Sequence, residues 1–310
     1  MYLARSANQF PFQLVRNGSV ATIGAFDGLH LGHQRLLDKV KQESNRRNLP
    51  SVVMSFEPTP KEYFSADKPP ARLMRFREKF EALDSYGIDV FFCPRFDNDM
   101  KMISALDFIR QLLIHTLGIR YLEIGDDFRF ARDREGDVEL LRRLSGSLEF
   151  DVEQAESIVV DGERVSSTAI RTALWTGDLE HAGKLLGRPY RMSGQVVTGQ
   201  KLGRTLGYPT ANVDLRRRQS PVMGIFAVRV HGLGSRIVDG VASVGTRPTF
   251  AGVKPLLEVH LFDFEKDIYG RYIHVDFISR LRDELKFDHV EDLVKQMDQD
   301  SAQARSILAA

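Results

Sequence analysis

The stretch Ser19-Val-Ala-Thr-Ile-Gly-Ala-Phe-Asp-Gly-Leu-His-Leu-Gly-His33 decides the reading of the first half of the chain. Residues 19–24 are a short apolar run closed by glycine, the pattern of a buried strand. Over 31–41 the spacing predicts a helix with Leu36, Leu37 and Val40 on one face. The turn between them holds Gly24, Phe26, Asp27 and Gly32, and sets His30 and His33 one turn apart at the helix start.

The same rhythm runs outward from this stretch. Residues 51–56 read as a strand, 72–86 as a helix, 90–92 as a strand, 104–117 as a helix and 121–125 as a strand. Strands alternating with helices argue for an α/β fold with a parallel sheet covered on both faces. Such sheets bind ligands in the loops at the carboxyl ends of their strands, where His30 and His33 fall. Near Trp175 the style changes. A short helix over about 178–186 leads through Gly187-Arg-Pro-Tyr190 into five short strands, at 195–197, 224–230, 237–244, 256–262 and 272–278. Gly-rich turns between them predict a small antiparallel β-barrel. A terminal helix is expected from His289, with Val290, Leu293, Val294 and Met297 at i, i+3, i+4, i+7. The expected domains are therefore 1–185, Rossmann-like α/β, and 186–310, β-barrel.

At 310 residues the chain has room for both. A net charge of +1 gives no global polyanion-binding signature, so no nucleic-acid partner is expected, and Arg216-Arg-Arg218 reads as a solvated loop. The single cysteine excludes an intrachain disulfide and a multi-Cys metal site. It lies in the apolar run Asp89-Val-Phe-Phe-Cys93 and reads as a small buried hydrophobe. No stretch approaches the ~20 apolar residues of a membrane span. Met1-Tyr-Leu-Ala-Arg-Ser6 lacks the apolar core of a signal peptide. A cytoplasmic protein without a membrane partner is the expectation, and its oligomeric state is not legible.

The chemistry begins at the two histidines. A helix N-terminus exposes unpaired N–H groups and partial positive charge, which favour phosphate. Imidazoles placed there can donate hydrogen bonds to a polyphosphate as charge builds on its bridging oxygen. The turn lacks the Gly-Lys-Ser/Thr ending of a Walker loop, which disfavours γ-phosphate transfer of that kind. Metal ligation by the His-x-x-His pair, or a purely structural pair, stands as the alternative. Ser166-Ser-Thr-Ala-Ile-Arg171 looks like a capped helix start. Arginine in a first helical turn opposes the macrodipole unless an anion is present, which aims Arg171 at phosphate.

A second, unlike motif is Gly199-Gln-Lys-Leu-Gly-Arg-Thr-Leu-Gly-Tyr-Pro-Thr-Ala-Asn212. Gly199, Gly203 and Gly207 would let backbone N–H groups approach phosphate. Lys201 and Arg204 offer charge, while Thr210 and Asn212 offer neutral oxygens suited to Mg²⁺. In the apolar strand 256–262, Glu258 is a carboxylate that is costly to bury unless paired or functional. Simple alternation, with Glu258 and His260 on a solvated face, is the competing reading.

These residues reach a family. Gly-x-Phe-Asp-Gly-x-His-x-Gly-His over 24–33, with Ser-Ser-Thr-x-Ile-Arg over 166–171, resembles the nucleotidylyltransferase superfamily. Glu57-Pro-Thr-Pro-Lys-Glu-Tyr-Phe64 and Gly125-Asp-Asp-Phe-Arg-Phe130 narrow the likeness to the FMN adenylyltransferase module. The second half resembles a riboflavin kinase through Pro-Thr-Ala-Asn at 209–212. Nearly all of 15–295 is thus similar to the prokaryotic bifunctional riboflavin kinase/FAD synthetases.

The resemblance implies roles. His30 and His33 would hold ATP phosphates while FMN attacks the α-phosphorus, and Ser166, Ser167, Thr168 and Arg171 would grip the triphosphate. Phe56, Pro58 and Pro60, with Asp127, Phe128 and Arg129, would shape the flavin side. In the kinase, Glu258 would be the base, Thr210 and Asn212 the Mg²⁺ ligands, and Arg282 and Phe287 the flavin cover. Gly245-Thr-Arg-Pro-Thr249, after a strand, would also cover the flavin. The implied small-molecule partners are ATP, riboflavin, FMN and FAD, with Mg²⁺ accompanying ATP. Two departures stand out. Ala131 replaces the usual glycine after Arg-Phe, and the loop is expected to shift if that glycine serves a positive φ. Ser243 replaces an asparagine, losing a direct hydrogen bond unless a water bridges. The rivals are an adenylyltransferase for another phosphate ester with an accessory barrel, and a non-catalytic flavin-binding regulator.

Overall fold

Every residue of the strand Ser19–Ile23 is buried, and the first half of the chain is arranged around it. The structure is a computed structural model that describes residues 1–199, 203, 206–249 and 252–309. Contacts divide the chain into two units, Met1–Pro70 with Met74–Val165, and Ala71–Leu73 with Ser166–Ala310.

In the first unit β1 (Tyr2–Ala4), β2 (Ser19–Ile23), β3 (Ser51–Met54), β4 (Val90–Phe92), β5 (Ile119–Ile124) and β6 (Asp151–Gln154) make one sheet. Its order is β1-β4-β3-β2-β5-β6, and all neighbours are parallel, as the alternation predicts. The chain steps outward from β2 on one side and later returns to its other side with β5. That reversal makes the carboxyl end of β2, where the histidine turn begins, the topological switch point at which such sheets bind ligands. A short hairpin of β7 (Val159–Val160) and β8 (Glu163–Arg164) follows the sheet.

Several helices differ from the sequence reading for identifiable reasons. The helix Leu31–Arg47 buries Leu36, Leu37 and Val40 as expected, but runs six residues past Lys41. Its last turns carry ion pairs of Glu43 with Lys39, Arg46 and Arg47, which leave no apolar period to read. It stops at Asn48 in the left-handed conformation. The helix expected over 72–86 is Phe76–Ser85. The carbonyls of Arg72 and Leu73 instead accept from Arg217, and Leu73 accepts also from Tyr190, so they cannot open a helix. Arg217 is thereby buried, which corrects the solvated reading of Arg216-Arg-Arg218. Phe108–Thr116 is wound as a π-helix after a first α turn capped by Ser104. Cys93, just past β4, is buried in the core, as expected of a small hydrophobe.

The second unit is a closed barrel of β9 (Tyr190–Val197), β10 (Thr210–Asp214), β11 (Gly224–His231), β12 (Val238–Thr249), β13 (Gly252–Leu261) and β14 (Tyr272–Arg282). All pairings are antiparallel. Ala211, Val213, Ala242, Val244, Leu257 and Val259 are buried at alternate positions, so their odd-one-out neighbours share the opposite face. The sixth strand, β10, is the polar end of the glycine motif, which the sequence reading left outside the barrel. Gly245–Thr249 was expected after a strand but pairs inside β12, opposite the first half of β13. The terminal helix Val290–Ala309 is anchored by Asp300, Ala304 and Leu308, one turn apart, whereas Val290 of the expected stripe is 56% exposed. Ala304 and Leu308 pack on Ala227 and Phe262. Among the described residues no helix is long and apolar enough to cross a membrane.

Ala131 does adopt a positive φ, at φ 66° and ψ −174°, a region nearly reserved for glycine. The loop is pinned on both sides, by paired Phe130–Gly136 backbone bonds of 3.1 and 3.0 Å and by Arg132 N–H donating to Ile103. Ala131→Gly is therefore expected to stabilise the protein by about 1 kcal/mol, strain relief of ~1–3 kcal/mol outweighing the added chain entropy. A thermal melt checks this, and an unchanged or lowered Tm would contradict the strain.

Candidate functional site

The first site grows out of β2. Phe26, Gly28 and Leu29 all take positive φ (48°, 92° and 45°), which folds the turn back on itself before the helix. Phe26 is wholly buried in the core, so only its backbone can face a nucleotide. Asp27 accepts from the Met74 N–H at 2.8 Å and anchors the turn. His30 is the N-cap, and its Nδ1 accepts from the His33 N–H at 3.3 Å. With Nδ1 used as an acceptor, the neutral ring carries its proton on Nε2, a donor. The His30 and His33 rings stack at 3.6 Å between centroids and 17° between planes.

Burial, then His30, then Lys79 hold the His33 imidazole well below its ordinary range. Its Nδ1 is buried with no hydrogen-bond partner among the described residues. An unsatisfied buried nitrogen at a helix start fits a site that awaits a polar ligand. Lys79, 3% exposed, donates to the Ala25 carbonyl at 2.5 Å. The sequence reading missed it, although a cation at the apolar spacing of Phe76, Lys79 and Leu83 is a visible anomaly.

Around the loops of this unit, Phe56 packs edge-on against Phe96 at 5.5 Å, with Tyr63 and Phe64 completing the cluster. Pro60 is the first residue of the helix Pro60–Phe64, which Thr59 and Glu62 close as a capping box, and Pro58 precedes it. Phe128 stacks on Phe130 at 5.5 Å, Arg129 donates to the Phe128 carbonyl, and Asp127 lies 3.7 Å from Arg164.

The second unit holds the Ser166 motif. Ser166 caps the helix Ser167–Thr176 by accepting from Ala169 N–H, as its sequence suggests. Arg171, however, is the fifth residue of that helix and not in its first turn, so the macrodipole argument for it falls. Its guanidinium donates to the Ala71 carbonyl at 2.6 Å and back to the Ser167 carbonyl at 3.0 Å. Thr168 lies in the same first turn as Ser167.

In the barrel, register brings three of the singled-out residues side by side. Asn212 lies opposite Glu258, and Glu258 lies opposite Ser243. All three sit on the face away from Leu257 and Val259, and Thr210, two residues from Asn212, shares it. A Cβ on Gly199 would fall 2.2 Å from the Asn212 amide, and one on Gly203 would fall 2.3 Å from the Tyr208 carbonyl. Those glycines are needed for close approach, and Gly207 for its φ of 82°. Lys201 and Arg204 lie outside the described residues. His260 was expected at the surface but is half-buried, its Nδ1 3.0 Å from the Pro209 carbonyl and its ring 5.0 Å from Tyr208. The register continues from Ser243 to Ile225 and then to Arg282, three strands from Glu258. Arg282 therefore does not reach the atoms Glu258 would handle. Its guanidinium pairs with Asp300 at 2.7 Å, while Phe287 is half-buried.

A parallel α/β unit with a histidine-bearing helix start and a barrel with a glycine-carboxylate site, in one chain, define a two-site phosphate-handling enzyme. A family model described as FAD synthetase matches residues 13–169, and one described as riboflavin kinase matches residues 186–308. The bifunctional riboflavin kinase/FMN adenylyltransferase of Escherichia coli K12 is 47% identical over 94% of this chain and 94% of its own. That of Haemophilus influenzae is 44% identical over 94% and 95%. A crystal structure titled a macrolide-efflux protein, from Streptococcus pneumoniae, shares the fold with a TM-score of 0.80 and 30% identity over 98% of both chains. The chain belongs to the bifunctional riboflavin kinase/FMN adenylyltransferase family.

The depressed His33 pKa makes a pH prediction. The unfolded chain binds a proton near the ordinary 6.5 while folded His33 stays neutral, so stability falls as pH drops below that value. The loss is at most about 1.4 kcal/mol per pH unit. Melts of ligand-free protein between pH 7.5 and 5.5 should show a shallower decline for His33→Gln than for the unaltered chain. Equal slopes would contradict the assignment.

Proposed function

We propose that the two units carry out successive steps on one substrate. The barrel transfers the γ-phosphate of ATP to the 5′-hydroxyl of riboflavin, giving FMN and ADP. The α/β unit then joins the FMN phosphate to the α-phosphorus of a second ATP, giving FAD and pyrophosphate. The observation that supports this most is the adjacency of Asn212 and Glu258 on paired strands, over glycines that leave room for phosphate. The functional domains are 1–185 and 186–310, acting in the cytoplasm.

In the kinase step Glu258, half-buried on the face opposite Leu257 and Val259, takes the proton of the ribityl hydroxyl as the new O–P bond forms. Gly199, Gly203 and Gly207 bring the backbone to the phosphates of ATP, and Lys201 adds charge. Thr210 and Asn212 present neutral oxygens on one face, a set that fits Mg²⁺ held mainly by ATP phosphates and water. Among the described residues no cluster of three acidic, histidine or cysteine side chains could hold a metal ion. When bound, the ion neutralises phosphate charge. Arg282 and Phe287 meet the flavin.

In the adenylyl step the attacking group is already a phosphate, so no base is needed. His30 donates from Nε2, and His33 and the start of the helix Leu31–Arg47 add polar stabilisation as charge gathers on the departing pyrophosphate. Gly24, Asp27 and Gly32 shape that turn, and Ser166, Ser167, Thr168 and Arg171 are carried over from the family pattern as triphosphate ligands. Phe56, Pro58, Pro60, Asp127, Phe128 and Arg129 line the FMN side.

The two activities separate by mutation. Glu258→Ala should lower riboflavin-to-FMN turnover by about 10²–10⁴-fold and leave FMN-to-FAD conversion intact. His30→Ala should lower FAD formation by about 10²–10³-fold and leave FMN formation intact. Chromatography of flavins from riboflavin or FMN with Mg-ATP reads both. Loss of both activities from either change would refute independent sites.

A further inference from the structure

Two aspartates of the terminal helix reach two different parts of the barrel, and the proposed chemistry uses neither. Asp300 is 4% exposed, and its carboxylate is paired by Arg282 and Gln296. Arg282 Nε donates to Oδ1 at 2.9 Å and Nη2 to Oδ2 at 2.7 Å, a fork-on-carboxylate geometry. Gln296, one turn earlier, donates to the same carboxylate at 3.0 Å. Arg282 Nη1 also donates to the Asp283 carbonyl at 2.8 Å. The guanidinium is thus fixed in plane and direction at the end of β14.

Two residues away, Asp298 accepts a hydrogen bond from the Tyr208 hydroxyl. Tyr208 follows Gly207 and leads into Thr210, so it belongs to the glycine motif itself. Its N–H donates to the Gly203 carbonyl at 2.8 Å, and its ring stands 5.0 Å from His260. Burial and Asp298 raise the phenol pKa, which keeps the hydroxyl a donor. Other contacts besides the two aspartates hold the helix. Arg305 pairs with Asp263 at 2.8 Å, Arg229 donates to the Leu308 carbonyl at 2.9 Å, and Ala304 and Leu308 sit in an apolar cluster.

We infer that Asp300 and Asp298 are positioning residues for the kinase reaction, Asp300 setting Arg282 for the flavin and Asp298 setting Tyr208 for the nucleotide. The inference rests on the reading that Arg282 meets flavin and the 199–212 motif meets ATP. A flexible arginine must lose rotamer freedom when it packs on a ligand, and one already clamped has lost it beforehand. The same holds for Tyr208, held at its hydroxyl by Asp298 and at its N–H by the Gly203 carbonyl. One helix turn thereby steadies both substrate sides of one active site, while touching neither substrate.

The test is steady-state riboflavin kinase kinetics on the full chain, with KM for riboflavin and for ATP measured separately. Asp300→Asn should raise the riboflavin KM about tenfold, the scale of one charge-assisted hydrogen bond, with the ATP KM and kcat little changed. Asp298→Asn should do the converse. Asp300→Glu keeps the charge but displaces the guanidinium, so it should fold and show a smaller rise in the riboflavin KM, which serves if the asparagine variant fails to fold. Lowered kcat with both KM values unchanged, or equal rises in both for each variant, would mark the aspartates as structural and overturn the inference. Arg282→Ala separates the two layers. If it leaves the riboflavin KM unaltered, the flavin reading of Arg282 fails. If it raises that KM while both Asp300 variants do not, the positioning role alone fails.

Discussion

Burial of β2 on all five residues is the constraint on which the first unit depends. A strand with sheet neighbours on both sides and helices over both faces is open only at its ends, and in such sheets ligands bind at the carboxyl end. The chain must leave that end through a turn with three positive φ values, which delivers His30 as the cap of the next helix. One backbone bond, His33 N–H to His30 Nδ1, then selects the ring tautomer. The fold and the proposed role of His30 meet there in a single hydrogen bond.

The barrel solves its problem differently. Alternation along β10 and β13 commits Val213 and Leu257 to the interior, and the same period of two forces Asn212 and Glu258 onto the other face together. A carboxylate beside neutral oxygens, over backbone that glycine leaves bare, is then a consequence of register. The terminal helix covers part of this outer face with Ala304 and Leu308, and its aspartates reach Arg282 and Tyr208 from there.

Much of this was legible in the sequence because it is local. The strand-turn-helix of 19–41, the Ser166 cap and the short barrel strands each follow from neighbouring residues. What was not legible depends on residues far apart in the chain. The first turn expected at Arg72 is lost to Arg217, 145 positions on, and Arg282 faces Asp300 because a helix folds back over the sheet. The short edge strands β1 and β6 and the strand β10 went unread, since three to five residues of mixed polarity carry too little periodicity. Ala131 was legible as a departure, and its positive φ shows the backbone imposing a conformation that the side chain does not favour.

The central claim is that two ATP molecules are broken at different phosphorus atoms, in a fixed order. Isotope position tests it most directly. With riboflavin and ATP labelled at the γ-phosphate, the label should enter FMN and persist in FAD. With ATP labelled at the α-phosphate, it should enter FAD and never FMN. Label from the α-phosphate in FMN, or FAD formed without γ-label, would contradict the account.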